Sequence, residues 1–144
     1  MKEDEALDYI AGYFVFDDLS ARDIQFTDKQ YTRAKGFDTF GPCGPWLTTP
    51  DEVPDPFNLH LVTRVNGEVR QDSSTKNVIL KGDRIISRLS RVMTLESGDI
   101  ISTGTPSGTA VSLSSNIKYL NHGDVVEVEI EMLGKIKNRV SFVD

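Results

Sequence analysis

A single cysteine, Cys43, stands in 144 residues, which rules out an intrachain disulfide and any thiolate metal cluster. It reads as an inert free thiol between Pro42 and Gly44. The two histidines, His60 and His122, lie far apart without ligand-type neighbours, so each reads as structural or exposed. There is no basic excess: the formal charge is −6 and the lysines and arginines are scattered, which excludes a nucleic-acid partner. No stretch of about eighteen apolar residues is present, so no membrane helix is expected. The opening MKEDEALD is acidic where a secretory leader would be basic, and a cytoplasmic location follows as the expectation. A G-x-S-x-G elbow and a phosphate-binding GK[ST] are both missing, which removes the serine-hydrolase and nucleotide-binding readings.

What remains is an ordinary globular composition, 38% apolar and 26% charged, at a length suited to one domain over residues 1–144. Residues 5–12 allow a helical turn or two, and GYFVF (12–16) reads as a short strand rich in aromatic and β-branched side chains. Ser20 is a candidate cap for a short helical piece over Ala21–Gln25. The Gly- and Pro-punctuated stretch 36–56 predicts an ordered loop held by Phe37, Phe40 and Trp46 rather than a long regular element. LHLVTRV-NG-EVRQ is a hairpin, because Asn66-Gly67 tolerates the positive φ of a type I′ turn. Ile85, Ile86, Leu89, Val92 and Met93 repeat at helical spacing and predict a helix over 84–95 with Asp83 as its N-cap. DIIST (99–103) reads as a strand before the tight GTPSG, and 109–122 as irregular. VVEVEIEML (125–133) and KIKNRVSFV (135–143) form an antiparallel pair across Gly134. The chain therefore reads as β-rich with one good helix.

Charge is concentrated in DDLSARDIQF (17–26), directly after the apolar strand. Along an extended strand Asp17 and Asp18 point to opposite faces, so only one shares the side of Phe14 and Phe16. A carboxylate at the end of a buried strand needs a partner or a metal. Arg22, four residues beyond Asp18, suits an internal ion pair; a hard divalent ion would equally take the carboxylate oxygens. Local pattern leaves both readings open. Lys35 can present an ammonium to an anion, and GTPSG offers free N–H groups with the hydroxyls of Thr105 and Ser107, either as an anion nest or as a plain turn.

Together these pieces carry more. DDLSARDIQ, KGFDTFGPCGPW, NGEVRQ with STKNVI, SRVMTLESGDIISTGTPSG and YLNHGDVVEVEIEMLG resemble, in order and spacing, the fumarylacetoacetate hydrolase family from about Tyr9 to Val140. That family includes fumarylacetoacetate hydrolases, acylpyruvases, oxaloacetate decarboxylases and isomerases or decarboxylases of 2-hydroxyhepta-2,4-diene-1,7-dioate. The resemblance implies a β-rich mixed fold, a β-sandwich roll that is N-terminally truncated here. It implies homo-oligomers, Mg²⁺ (or Mn²⁺ or Ca²⁺) as cofactor, and a small 2-oxo dicarboxylic or β-diketo acid as substrate, processed through a metal-stabilised enolate. Carried onto this sequence, the metal ligand of the N-D-x-S-A-R-D motif falls on Asp18, while Asp17 replaces the motif's Asn. Arg22, Gln25 and Lys35 fall on catalytic and substrate-approaching positions, and Gly104 and Thr105 on the segment lining the substrate's carboxylate or keto end.

One departure stands out. Family members carry an E-x-E ligand pair, and a His with a nearby Glu, upstream of this region. Glu3 and Glu5 form an E-x-E here but sit too close to Asp18, without an apolar strand, to take that role. The sequence thus resembles the C-terminal two-thirds of a family enzyme. It reads as an enzyme domain, most like the 2-hydroxyhepta-2,4-diene-1,7-dioate isomerase, that needs a complementary N-terminal segment or subunit. The alternative is a non-catalytic assembly subunit, or one half of a split enzyme, that keeps only the fold.

Overall fold

The computed structural model describes residues 1–112 and 117–142. Strand β1 (Tyr13–Phe16) is followed by two short helices, α1 (Arg22–Asp28) and α2 (Tyr31–Lys35), and returns as β2 (Cys43–Thr48). The hairpin β3 (His60–Val65) and β4 (Glu68–Ser74) leads to helix α3 (Gly82–Leu89), a long irregular stretch, and the final pair β5 (Val125–Ile130) and β6 (Gly134–Arg139). β1 and β2 form an antiparallel ribbon, and the other four make an antiparallel sheet in the order β4-β3-β5-β6. The fold is β-rich and mixed, as the alternation predicts. No helix among the described residues is long and apolar enough to cross a membrane.

The core lies where the ribbon meets the sheet. Val15 is fully covered and packs with Val53, Leu59, Val126, Val128 and Leu133. Strand alternation sends Val126 and Val128 inward and turns Glu127 and Glu129 outward, where they pair with Lys137 (2.8 Å) and Arg64 (3.0 Å). At the hairpin tip both Asn66 (φ 51°) and Gly67 (φ 83°) adopt positive φ. The Asn66 side chain also donates to Asp124 Oδ1 (2.8 Å) and accepts from the Val125 N–H (2.9 Å), tying the turn to the start of β5.

Several elements differ from the sequence pattern. The helix expected over 84–95 ends at Leu89, and Val92 and Met93 lie exposed beyond it. An apolar stripe extends a helix only where there is a surface to bury it against. Its N-cap is Lys81; Asp83 sits in the first turn and its Oδ1 accepts from the Arg84 N–H. DIIST forms no strand. Asp99 instead closes a turn on Glu96, and Ile100 is exposed with no strand pairing it among the described residues. The 36–56 stretch contains a six-residue strand, β2, recruited by the unpaired edge of β1. Of the expected irregular stretch 109–122, residues 113–116 lie outside the described residues, as does Val143 of the last strand pair.

Candidate active site at the end of strand β1

The site begins where β1 runs out. The Asp17 N–H bonds to the Pro42 carbonyl (3.0 Å), extending the ribbon by one step, and the Leu19 N–H then closes back on the Asp17 carbonyl (3.1 Å). The chain turns into α1, whose N-cap is Ala21 with no side-chain cap. Ser20 is therefore not the cap that its residue type suggests; its hydroxyl accepts from Lys35 Nζ at 3.0 Å. A backbone bond from the Ala21 N–H to the Ala34 carbonyl (2.9 Å) fastens the start of α1 to the end of α2. That single tie brings Lys35 to the end of β1, where Nζ donates to Asp18 Oδ2 at 2.5 Å. The partner of Asp18 is thus Lys35, not Arg22.

Arg22 faces along its own helix and donates from Nη1 to Gln25 Oε1 (2.6 Å), the i,i+3 spacing that places two side chains on one helical face. Gln25 is buried, so the guanidinium is held by a fixed acceptor. Asp23 lies outside this group, its carbonyl accepting from the Thr27 hydroxyl. Asp18 and Lys35 are each about one-third exposed, at 35% and 31%, so their ion pair is weakly stabilising and open to exchange with a ligand.

Asp17 is different. It follows Val15 on the inward side of the strand, and its Oδ2 is buried with no hydrogen-bond partner among the described residues. Burial first, and then the neighbouring Asp18 charge, push its carboxyl up to about 6. The sequence singled out the Asp17–Asp18 pair but held no signal that the inward one lacks a donor.

Thr105 and Gly104 lie on a loop held against the edge strand β4. Gln71 Nε2 donates to Thr105 Oγ1 (2.8 Å) and to the Pro106 carbonyl (3.0 Å). No hydrogen bond links this loop to the Asp18 group among the described residues. Gln71 is the polar partner that sequence reasoning missed; the only signal was its place in the NGEVRQ segment. The remaining candidates behave as expected. His60 pairs with Asp72 (2.6 Å), His122 accepts from the Phe142 N–H (3.1 Å), and Cys43 is free and exposed. Glu3 and Glu5 turn to Arg84 and Lys2, away from Asp18.

The two adjacent carboxylates, one with an orphaned buried oxygen, match a hard divalent cation in donor type. In number they fall short, because no three His, Cys, Asp or Glu side chains gather to hold a metal among the described residues. What the geometry provides is an Asp18–Lys35 ion pair at the end of β1 and, on the adjoining helix, a guanidinium held by Gln25.

The architecture is an antiparallel ribbon on a four-stranded sheet, with an acid–lysine pair where the ribbon opens into two short helices. The chain belongs to the fumarylacetoacetate hydrolase family: residues 1–141 match the family described as fumarylacetoacetate (FAA) hydrolase C-terminal. An uncharacterized protein of Archaeoglobus fulgidus is 48% identical over 142 residues, covering 99% of this chain and 52% of the relative. Among solved structures, the 2-hydroxyhepta-2,4-diene-1,7-dioate isomerase of Mycobacterium marinum is 43% identical with a TM-score of 0.86, covering 98% of this chain and 52% of its own. The fumarylacetoacetate hydrolase of psychrophilic Exiguobacterium antarcticum superimposes with a TM-score of 0.94 at 40% identity, covering 99% and 51%. The chain thus spans about half the length of the proteins it matches, rather than the two-thirds expected from the motifs.

Proposed function

We propose that this chain forms the Asp18–Lys35 half of a divalent-metal-dependent site acting on small 2-oxo dicarboxylic or β-diketo acids. The reaction is C–C hydrolysis, decarboxylation or keto–enol isomerisation, with the 2-hydroxyhepta-2,4-diene-1,7-dioate isomerase as the nearest reaction type. One observation carries the reading: Lys35 Nζ is already seated 2.5 Å from Asp18 and 3.0 Å from Ser20, so opposite charges meet at the point where a chelated acid would sit. Asp18 is the ligand for Mg²⁺ or Mn²⁺; bound there, the cation supplies Lewis-acid polarisation of the 2-oxo group.

The chain's own residues do the rest. Lys35 donates hydrogen bonds to the oxygen on which enolate charge develops, and being positive it stabilises that charge more than the neutral ketone. Arg22, oriented by Gln25, has guanidinium N–H groups left to fork onto a substrate carboxylate. Thr105 and the Gly104 backbone receive the carboxylate or keto end. Asp18 cannot hold Mg²⁺ tightly alone, since the ion seeks about six oxygens. The remaining ligands therefore come from a complementary segment or subunit. That the chain spans half of its relatives' length also supports a second reading, a half that turns over nothing until joined.

The test is Mn²⁺ binding followed by electron paramagnetic resonance. The chain would be measured alone and mixed with the unmatched half of the Archaeoglobus fulgidus relative. The expected result is weak binding alone, tight binding in the mixture, and loss of the tight binding in Asp18→Asn. Equal Mn²⁺ affinity of wild type and Asp18→Asn in the mixture would overturn the assignment.

A further inference from the structure

The GTPSG loop is clamped to β4 at two points. Gly108 (φ 103°) presses its backbone against β4 so closely that a Cβ there would lie 1.9 Å from the Arg70 carbonyl oxygen. Next to it the Gln71 amide spends both of its hydrogens, one on the Pro106 carbonyl and one on Thr105 Oγ1. The second bond has a chemical consequence. A hydroxyl that accepts a hydrogen bond must send its own proton elsewhere, and accepting strengthens it as a donor. No acceptor for the Thr105 hydroxyl is present among the described residues, and Thr105 is exposed. The backbone N–H groups of Gly104, Thr105 and Ser107 likewise have no partner among the described residues. Around Thr105 the loop therefore carries exposed donors with no protein partner among the described residues.

We infer that Gln71 is a positioning and specificity residue: by donating to Thr105 Oγ1 it fixes that hydroxyl as an outward donor and makes the loop selective for a carboxylate over an amide. The inference rests on the proposed placement of a substrate carboxylate at Gly104–Thr105, and goes beyond it by assigning the discrimination to a residue that does not touch the substrate. A carboxylate accepts from every outward group, whereas a carboxamide brings N–H donors that meet the loop's own N–H groups and hydroxyl hydrogen. Replacing Gln71 with Glu reverses the polarity, since a carboxylate at 71 draws the Thr105 proton inward and repels an anion.

The experiment is an NMR titration of the isotope-labelled 144-residue chain with oxalate, and separately with oxamide, following the amides of Gly104, Thr105 and Ser107. Oxalate is expected to shift these amides and oxamide to leave them in place. Gln71→Met should weaken oxalate about tenfold, the worth of one hydrogen bond to a charged group, and Gln71→Glu should abolish the response. In a Thr105→Val background, where backbone N–H groups give residual binding, Gln71→Met should have no further effect, because the residue acts through the hydroxyl. An equal oxalate affinity for wild type and Gln71→Met overturns the inference and leaves the loop's role as a carboxylate site standing. The same loss in the Thr105→Val background also overturns it, because Gln71 would then only anchor the loop. No oxalate response in the wild type removes the carboxylate assignment itself, and the inference with it.

Discussion

Position 17 carries a carboxyl where the family motif has an amide, and the difference costs stability. An Asn can donate from its side chain; the Asp17 Oδ2 sits buried with no hydrogen-bond partner among the described residues. Its carboxyl is raised from 3.8 to about 6, by burial first and by Asp18 second. The folded state therefore binds this proton more tightly than the unfolded chain. Stability from this group is fully present below pH 3.8 and falls as pH rises to about 6, by on the order of 3 kcal/mol. Asp17→Asn removes the dependence. Thermal unfolding in the presence of a chelator should show the variant several degrees more stable than wild type at pH 7.5 and nearly equal to it at pH 4. At this scale the sequence was partly readable. Strand alternation predicted that one of the two aspartates leaves the outward face, and family motifs marked Asp18 and Lys35. It could not show that Lys35 meets Asp18, because the two are seventeen residues apart and are brought together by non-local ties such as the Ala21–Ala34 backbone bond.

Elements were legible in proportion to how local their causes are. The β3–β4 hairpin followed from alternation and Asn66-Gly67; the β5–β6 pairing followed from alternation too, but its turn lies at 131–133, so that β5 stops at Ile130 and Gly134, expected as the joint, is the first residue of β6. β2 was hidden, since a Gly- and Pro-rich segment becomes a strand only because β1 offers it an edge. The reverse held for 99–103, which has β-forming residues and no edge. The two glycines of the GTPSG loop separate conformational need from spatial need. Gly104 and Gly108 both adopt positive φ, 97° and 103°, but only Gly108 has backbone in the way. Gly104→Ala should cost about 1 kcal/mol by chemical denaturation, and Gly108→Ala at least about 2 kcal/mol, because β4 or the loop must move. Equal losses would mean that the loop's contact with β4 is not a structural requirement.

Taken as one body, the chain exposes more surface than it should. Its 9872 Å² compares with about 7,400 Å² for a compact monomer of 16.0 kDa. Part of the excess is apolar: Ile79 is 96% exposed, Val92 79% and Trp46 58%. A difference of roughly 2,500 Å² is in the range that stable protein interfaces bury. Among the described residues no further strand pairs with the sheet beyond β4 or β6, and unpaired edges invite pairing. We therefore expect an assembly of at least two chains, and analytical ultracentrifugation at tens of micromolar should show it. A single species of 16.0 kDa would sink this expectation. None of this could be read from composition, because 38% apolar residues suit a compact monomer equally well.

The turn that joins β3 to β4 also sets a clock. Asn followed by Gly is the pair in which the next backbone nitrogen most readily attacks the side-chain amide, releasing ammonia and closing a succinimide that water then opens to Asp or its iso form. At Asn66 the lost amide is the group that donates to Asp124 Oδ1 at 2.8 Å, so the aged protein would face one carboxylate with another. The Asn121 N–H first, and then this hydrogen bond, hold Asp124 below the usual carboxylate range. The iso product also lengthens the main chain by one carbon in a loop of two residues. Deamidation at Asn66 would therefore act at the point that sets the β3–β4 register of the four-stranded sheet.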